Sequence, residues 1–205
     1  MGFKSDSRSG ILARQYKKNK TGNCNGEKKM TKFNETTISE KKEFDGKFIQ
    51  VSSYDVELST GEKGIREVVH HPGGVVVVAQ KDVNTILMVK QYRYPIKEIS
   101  FELPAGRLEK GENPDFAIKR ELEEETGFVA GIWQSLGYIY TTPGICDEKL
   151  YLYYATDLTF KKTNPDDGEI IEHAEYSIEE VFRLIKTGEI NDAKTICALM
   201  RAFKL

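Results

Sequence analysis

Between Arg120 and Glu125 the chain reads Arg-Glu-Leu-Glu-Glu-Glu, which puts four carboxylates in five consecutive positions. Asn113 and Pro114 upstream suit the N-cap and first turn of a helix, and Gly127 suits its end, so the run falls on the last turn and a half of a helix from Pro114 to about Thr126. Such a run is unfavourable as mere scaffolding. Like charges three and four positions apart repel, and negative charge at a helix C-terminus opposes the macrodipole, each by roughly tenths of a kcal/mol. Glu121, Glu124 and Glu125 occupy neighbouring parts of one face, while Ile118 and Leu122 mark the buried stripe. Arg120 can neutralise one carboxylate, and the others have the oxygen chemistry that hard divalent cations such as Mg²⁺ or Mn²⁺ require. By itself the run fits either a solvated acidic face or a cation site.

The flanking residues change that balance. Gly106 is followed after five residues by Glu112, and after seven more by Arg120-Glu121-Leu122-Glu123-Glu124-Glu125-Thr126-Gly127-Phe128. This resembles, at every position, the Nudix box G-x5-E-x7-R-E-U-x-E-E-x-G-U, where U is a bulky apolar residue. Seven fixed identities at ~7% each recur by chance in about one of ~10⁸ windows, so the chain is identified as a member of the Nudix hydrolases. The resemblance extends beyond the box. Gln91-x-Arg93, Glu102-x-Pro104-Ala105-Gly106, the Arg66-Glu67 pair ahead of His71-Pro72-Gly73, and Asp192-Ala-Lys-Thr195 look like the ADP-ribose pyrophosphatase branch. Pro143 stands fifteen residues after Phe128, where that branch carries a proline.

The resemblance implies an α/β fold: a Nudix α/β/α sandwich with a mixed sheet, preceded by an N-terminal antiparallel β subdomain. It implies a Mg²⁺ cofactor, with Mn²⁺ as the alternative, held by the Ala105 carbonyl, Glu121, Glu124 and Glu125. Glu121 and Arg120 belong to the implied catalytic set, Arg120 as the group that orients the carboxylates. The general base is expected from the loop acids Asp166, Asp167 and Glu169, of which Glu169 aligns best. Substrate contacts are implied at Arg66, Glu67, Arg93, Glu102 and Pro143, and guanidinium forks at Arg66 and Arg93 would fit phosphate oxygens. The implied reaction is hydrolysis of ADP-ribose to AMP and ribose 5-phosphate. GDP-mannose or another nucleoside diphosphate sugar fits the same machinery, and a non-catalytic ADP-ribose sensor is the reading from another class. The branch also implies a homodimer with substrate sites at the interface.

The elements that must position these residues follow from periodicity. Phe48–Ser59, Ile65–His71, Gly74–Gln80 and Thr85–Tyr92 alternate or run apolar as strands, separated by the turn residues Ser59-Thr-Gly61, Pro72-Gly-Gly74 and Asp82-Val-Asn84. A short strand is expected at Ser100–Leu103, then a glycine-rich loop from Ala105 to Gly111, then the acidic helix. Strands follow at 133–141, 148–157 and 170–176; Ser177-x-x-Glu180 opens a helix ending near Gly188, and a last helix covers about 192–204. The chain thus divides into a basic arm or tag at 1–44, an antiparallel β subdomain at 45–73 and a hydrolase domain at 74–205.

Composition bounds the partners. Thirty Lys+Arg against 32 Asp+Glu give a net charge of −2, which disfavours nucleic acid. Residues 1–30 carry a net +6 and lack an apolar h-region, so the remainder is −8. The longest purely apolar run, Val75–Ala79, is far short of the ~20 residues a membrane span needs. Cys24, Cys146 and Cys197 match neither a disulfide framework nor a metal motif, and a cytoplasmic setting is expected.

Overall fold

In the computed structural model, which describes residues 33–161 and 170–204, β4 (Gly74–Ala79) is buried at all six positions. A strand alternates its side chains between two faces, and here each face has its own core. Val75, Val77 and Ala79 meet Ala117, Ile118 and Leu122 of α1 (Pro114–Thr126), whereas Val76 and Val78 meet Val181 and Leu184 of α2 (Ile178–Thr187) and Ala198 and Leu199 of α3 (Ala193–Phe203). Helices on both sides of β4 make the α/β/α arrangement expected above.

β4 pairs in parallel with β9 (Lys149–Phe160) and antiparallel with the three-residue β7 (Ala105–Arg107), while β8 (Phe128–Tyr140) completes a mixed sheet in the order β7-β4-β9-β8. A second sheet, antiparallel, sets β5 (Thr85–Arg93) between β6 (Glu98–Glu102) and β10 (Ile171–Ser177). The remaining sheet is an antiparallel meander of β1 (Glu35–Asp45), β2 (Gln50–Leu58) and β3 (Lys63–His70).

β8 begins at Phe128, five residues before the expected 133, and β9 runs on to Phe160; two further differences change the architecture. β1 lies ahead of position 45, because its residues Thr-Thr-Ile-Ser-Glu-Lys-Lys-Glu show no apolar alternation and all eleven positions of the strand are exposed. The stretch from Ala105 begins as β7 rather than as a loop, since Val76 and Val75 pair with Ala105 and Gly106. Residues 1–32 of the expected arm lie outside the described residues.

The meander buries little: only Val56 and Ser52 of its three strands are fully buried, and Ile38, Phe44 and Ile65 stand exposed. It is tied to the body by Val69, whose N–H donates to the Ile145 carbonyl at 2.8 Å and whose carbonyl accepts from Asp147 N–H at 3.1 Å. Among the described residues no helix is long and apolar enough to cross a membrane.

The acidic helix keeps its expected limits. The Asn113 side chain accepts from Asp115 N–H, Pro114 takes the first helical position, and Gly127 at φ 73° closes the helix with its N–H on the Glu123 carbonyl. Leu122, fully buried beneath β4, anchors it. Leu122→Ala should therefore lower stability by about 2–5 kcal/mol in chemical denaturation; a cost below about 1 kcal/mol would show that α1 is not held by this core.

Candidate active site

Each turn of α1 that faces β7 carries a carboxylate, and the backbone there is built to admit it. A Cβ at Gly106 would lie 1.9–2.3 Å from the Glu121 carboxyl atoms, so glycine leaves the space in which that carboxylate stands against the strand, and any side chain there would displace it. One residue earlier, Ala105 N–H donates to Glu125 Oε2 at 2.9 Å, and Glu125 is 7% exposed. Arg120 answers the crowding. Its Nη2 is 2.9 Å from Glu121 Oε1, its Nη1 2.8 Å from Glu124 Oε2, and Nε and Nη2 reach both oxygens of Glu112 at 3.2 Å. Glu112 in turn accepts from Glu109 N–H at 3.0 Å. Burial raises its pKa, but the Arg120 pair and that N–H outweigh this and hold it below the usual carboxylate range. The box thus closes on itself: loop, helix and guanidinium form one ionic network.

These groups border a cavity of about 980 Å³. Its walls come from Lys47, Phe48 and Gln50 before and in β2, His70–Gly74 at the end of β3, Gln91 and Arg93 of β5, Ala105–Lys110, Arg120, Glu121 and Glu125 of the box, Thr141 and Glu148 ahead of β9, and Asp192–Lys194 at the start of α3. Arg93, also in the lining, forks onto the buried Glu102, Nε to Oε1 at 2.7 Å and Nη2 to Oε2 at 2.6 Å. Lys194 also donates to Glu102 Oε2 and lies 3.0 Å from Asp192 Oδ1. Burial raises the Glu102 pKa, yet the hydrogen bonds from Arg93 and the Lys194 charge prevail and hold it at about 2.

The expected residues therefore divide. Arg93, Ala105, Arg120, Glu121 and Glu125 line one cavity, Glu102 backs Arg93, and Glu124 reaches the same Arg120. Arg66 turns away: its guanidinium pairs with Glu35 of β1 at 2.6 and 2.9 Å. Glu67, its neighbour on β3, lies opposite Ser53 of β2. Pro143 borders a separate, smaller cavity of about 220 Å³ with Val68 and Cys146. Glu169, Asp166 and Asp167 lie outside the described residues.

Sequence reasoning missed part of the wall. Glu148, fixed by Thr141 Oγ1 at 2.7 Å and lying 3.2 Å from His71 Nδ1, has no motif to announce it. Arg107 stacks 4.1 Å from the Phe48 ring centroid, a contact that depends on the meander meeting β7. Lys194 lies within a run quoted above, but its carboxylate partner is remote in sequence. His70 bridges Tyr54 at 3.0 Å and Asp147 at 2.7 Å, joining the meander to the loop beside Glu148.

Among the described residues no three His, Cys, Asp or Glu are gathered as a preformed metal cluster. The donor chemistry nevertheless fits a hard cation: three carboxylates on one end of a helix and, on β7 beside it, the Ala105 backbone, with Gly106 leaving the space that a side chain would fill.

A family model for the NUDIX domain matches residues 69–199. The chain is 41% identical over 172 residues to the ADP-ribose pyrophosphatase of Bacillus subtilis (strain 168), covering 83% of this chain and 93% of that protein. It is also 41% identical over 170 residues to the methanol dehydrogenase activator of Bacillus methanolicus, covering 82% and 91%. The fold superposes on a solved structure described as an ADP compounds hydrolase with TM-score 0.75 at 20% identity, over 85% of this chain and 95% of that one.

The depressed Glu102 pKa makes stability depend on pH. A folded-state value of about 2 against 4.5 stabilises the fold above about pH 4.5, and this contribution disappears as the pH falls from there toward 2. It is on the order of 3 kcal/mol. Denaturation of Glu102→Gln beside the unsubstituted chain should show a stability gap that is widest near pH 7 and narrows below about pH 4.5; a gap independent of pH would mean that Glu102 carries no shifted charge.

Proposed function

Because the chain belongs to the Nudix family, we propose that its cavity holds a nucleoside diphosphate sugar and that the reaction is hydrolysis of ADP-ribose to AMP and ribose 5-phosphate. The carrying observation is that Glu121, Glu125 and Ala105, joined by the Ala105 N–H to Glu125 bond, line the same cavity as Arg93. The 41% identity to an ADP-ribose pyrophosphatase across most of both chains supports the substrate.

Glu121, Glu124, Glu125 and the Ala105 carbonyl would hold Mg²⁺ or Mn²⁺, which supplies Lewis acidity and neutralises the diphosphate charge. The chain's own groups do the rest. Arg93, with Nε and Nη2 committed to Glu102, keeps Nη1 outside that pair and available to a phosphate oxygen. Arg120 fixes the carboxylates by ion pairs, so they are aligned before substrate arrives. Water adds one O–P bond as the bridging P–O bond breaks, and its proton passes to a loop acid, for which Glu169 is our assignment. Each product leaves as a phosphate monoester.

The thinly buried meander supports a homodimer built through β1–β3, in which Arg66, Glu67 and Pro143 would serve the substrate at the shared interface. A cytoplasmic setting accords with the cysteine usage. A second reading, activation of a partner dehydrogenase, is favoured by the equal identity to a methanol dehydrogenase activator; added chain would then raise that enzyme's turnover.

Two measurements test the main reading. In a panel of ADP-ribose, GDP-mannose, dinucleotides and nucleoside triphosphates, ADP-ribose should give the highest kcat/KM, and Glu125→Gln should lose at least about a hundredfold, roughly 2.7 kcal/mol. Its melting temperature should hold, since the amide oxygen can still accept Ala105 N–H; near-native turnover would remove Glu125 from the site. Light scattering should give twice the 23.3 kDa chain mass, and a monomer at micromolar concentration would end the dimer assignment.

A further inference from the structure

The peptide from Glu102 to Ala105 is held at each of its four residues. Glu102 gives its carboxylate to Arg93 and Lys194. Leu103 N–H donates to Thr195 Oγ1 at 2.9 Å. Pro104 has no N–H, and its carbonyl accepts from Val77 N–H at 3.0 Å. Ala105 N–H goes to Glu125. Of these partners, Lys194 and Thr195 are neighbours on the first turn of α3. Thr195 and Leu103 are both 0% exposed, so their bond closes a donor that water cannot reach. Asp192 orients this turn with both oxygens: Oδ2 accepts Thr195 N–H at 2.9 Å as the N-cap, and Oδ1 pairs with Lys194.

We propose that Thr195 and Lys194 are positioning residues for hydrolysis, Thr195 setting the peptide that presents the Ala105 carbonyl and Lys194 balancing Glu102 and Asp192 so that Arg93 meets the diphosphate with its charge intact. The Lys194 half rests on the diphosphate reading of the cavity; the Thr195 half concerns the cation site alone. The chemistry separates the two residues. Without the Thr195 hydroxyl, Leu103 N–H must turn toward another acceptor, and rotation of that peptide moves the carbonyl two residues on. Without the Lys194 ammonium, two carboxylates face one guanidinium, and the wall that receives an anion gains a net negative charge.

The test uses the full chain. Mn²⁺ titration of the substrate-free protein, followed by its electron paramagnetic resonance signal, should show at least about tenfold weaker binding for Thr195→Val, with Thr195→Ser within about twofold of the unsubstituted chain. Lys194→Met should bind Mn²⁺ normally, raise KM for ADP-ribose about tenfold and leave kcat within about threefold, with Lys194→Arg restoring KM. A residue needed only for folding would lower the melting temperature in each variant without this division. Unchanged Mn²⁺ affinity in Thr195→Val, or failure of Thr195→Ser to restore it, overturns the Thr195 assignment. Unchanged KM in Lys194→Met overturns the other half, and this variant still reports should Thr195→Val not fold. An unsubstituted chain that binds Mn²⁺ but leaves ADP-ribose intact would fault the substrate reading, while the titration still judges Thr195.

Discussion

Carboxylates crowded at the C-terminal end of a helix repel one another and oppose its dipole, and the surroundings of α1 read as the answer to that repulsion. Arg120 joins Glu112, Glu121 and Glu124 in one network. The N–H of Ala105 takes up Glu125. Gly106 withdraws its side chain so that Glu121 can stand against the strand. None of these adjustments is needed for a helix whose acidic face merely meets water. Together they hold a concentration of negative charge at a place where the backbone comes close, oxygen chemistry of the kind hard divalent cations require.

The sheet order explains why this charge and the opposing cations face the same space. β7 hangs on β4 in antiparallel register, which fixes Ala105 and Gly106 beneath α1, while β6 brings Glu102 to Arg93 of β5. The short connection Leu103-Pro104 joins β6 of one sheet to β7 of the other, as the 80–84 turn joins β4 to β5. Both residues of the β6–β7 connection are buried, so Glu102 and Ala105 are held at a fixed spacing along the chain.

What the sequence disclosed, and what it withheld, follows the range of the interactions. α1 was legible to its last residue because its cap, its proline and its glycine are local signals, and the box carboxylates came with it. Ser177 and Gly188 placed α2 in the same way. β1 was hidden because a strand exposed at every position carries no alternation, and with it went the partner of Arg66, which is Glu35. β7 has three residues, too few for a period. The site divided likewise: Arg93 and Glu102 were both named, but their pairing, and the share Lys194 takes in it, joins residues up to 92 positions apart and is written only in the fold.

Gly74–Ala79, five of whose six residues are Val or Ala, has a further consequence for how the chain reaches this state. Its parallel partner lies 76 positions later, Leu150 opposite Gly74. During synthesis from the N-terminus, an uncharged and strongly β-forming segment must wait for more than a third of the protein to emerge before its parallel partner strand exists. Through that interval the flanking polar residues, the charged Lys81 and Asp82 on one side and His70 and His71 on the other, are its local protection from edge-to-edge pairing with another nascent chain. The strand that organises the finished cavity is thus also the place where assembly is most exposed to aggregation.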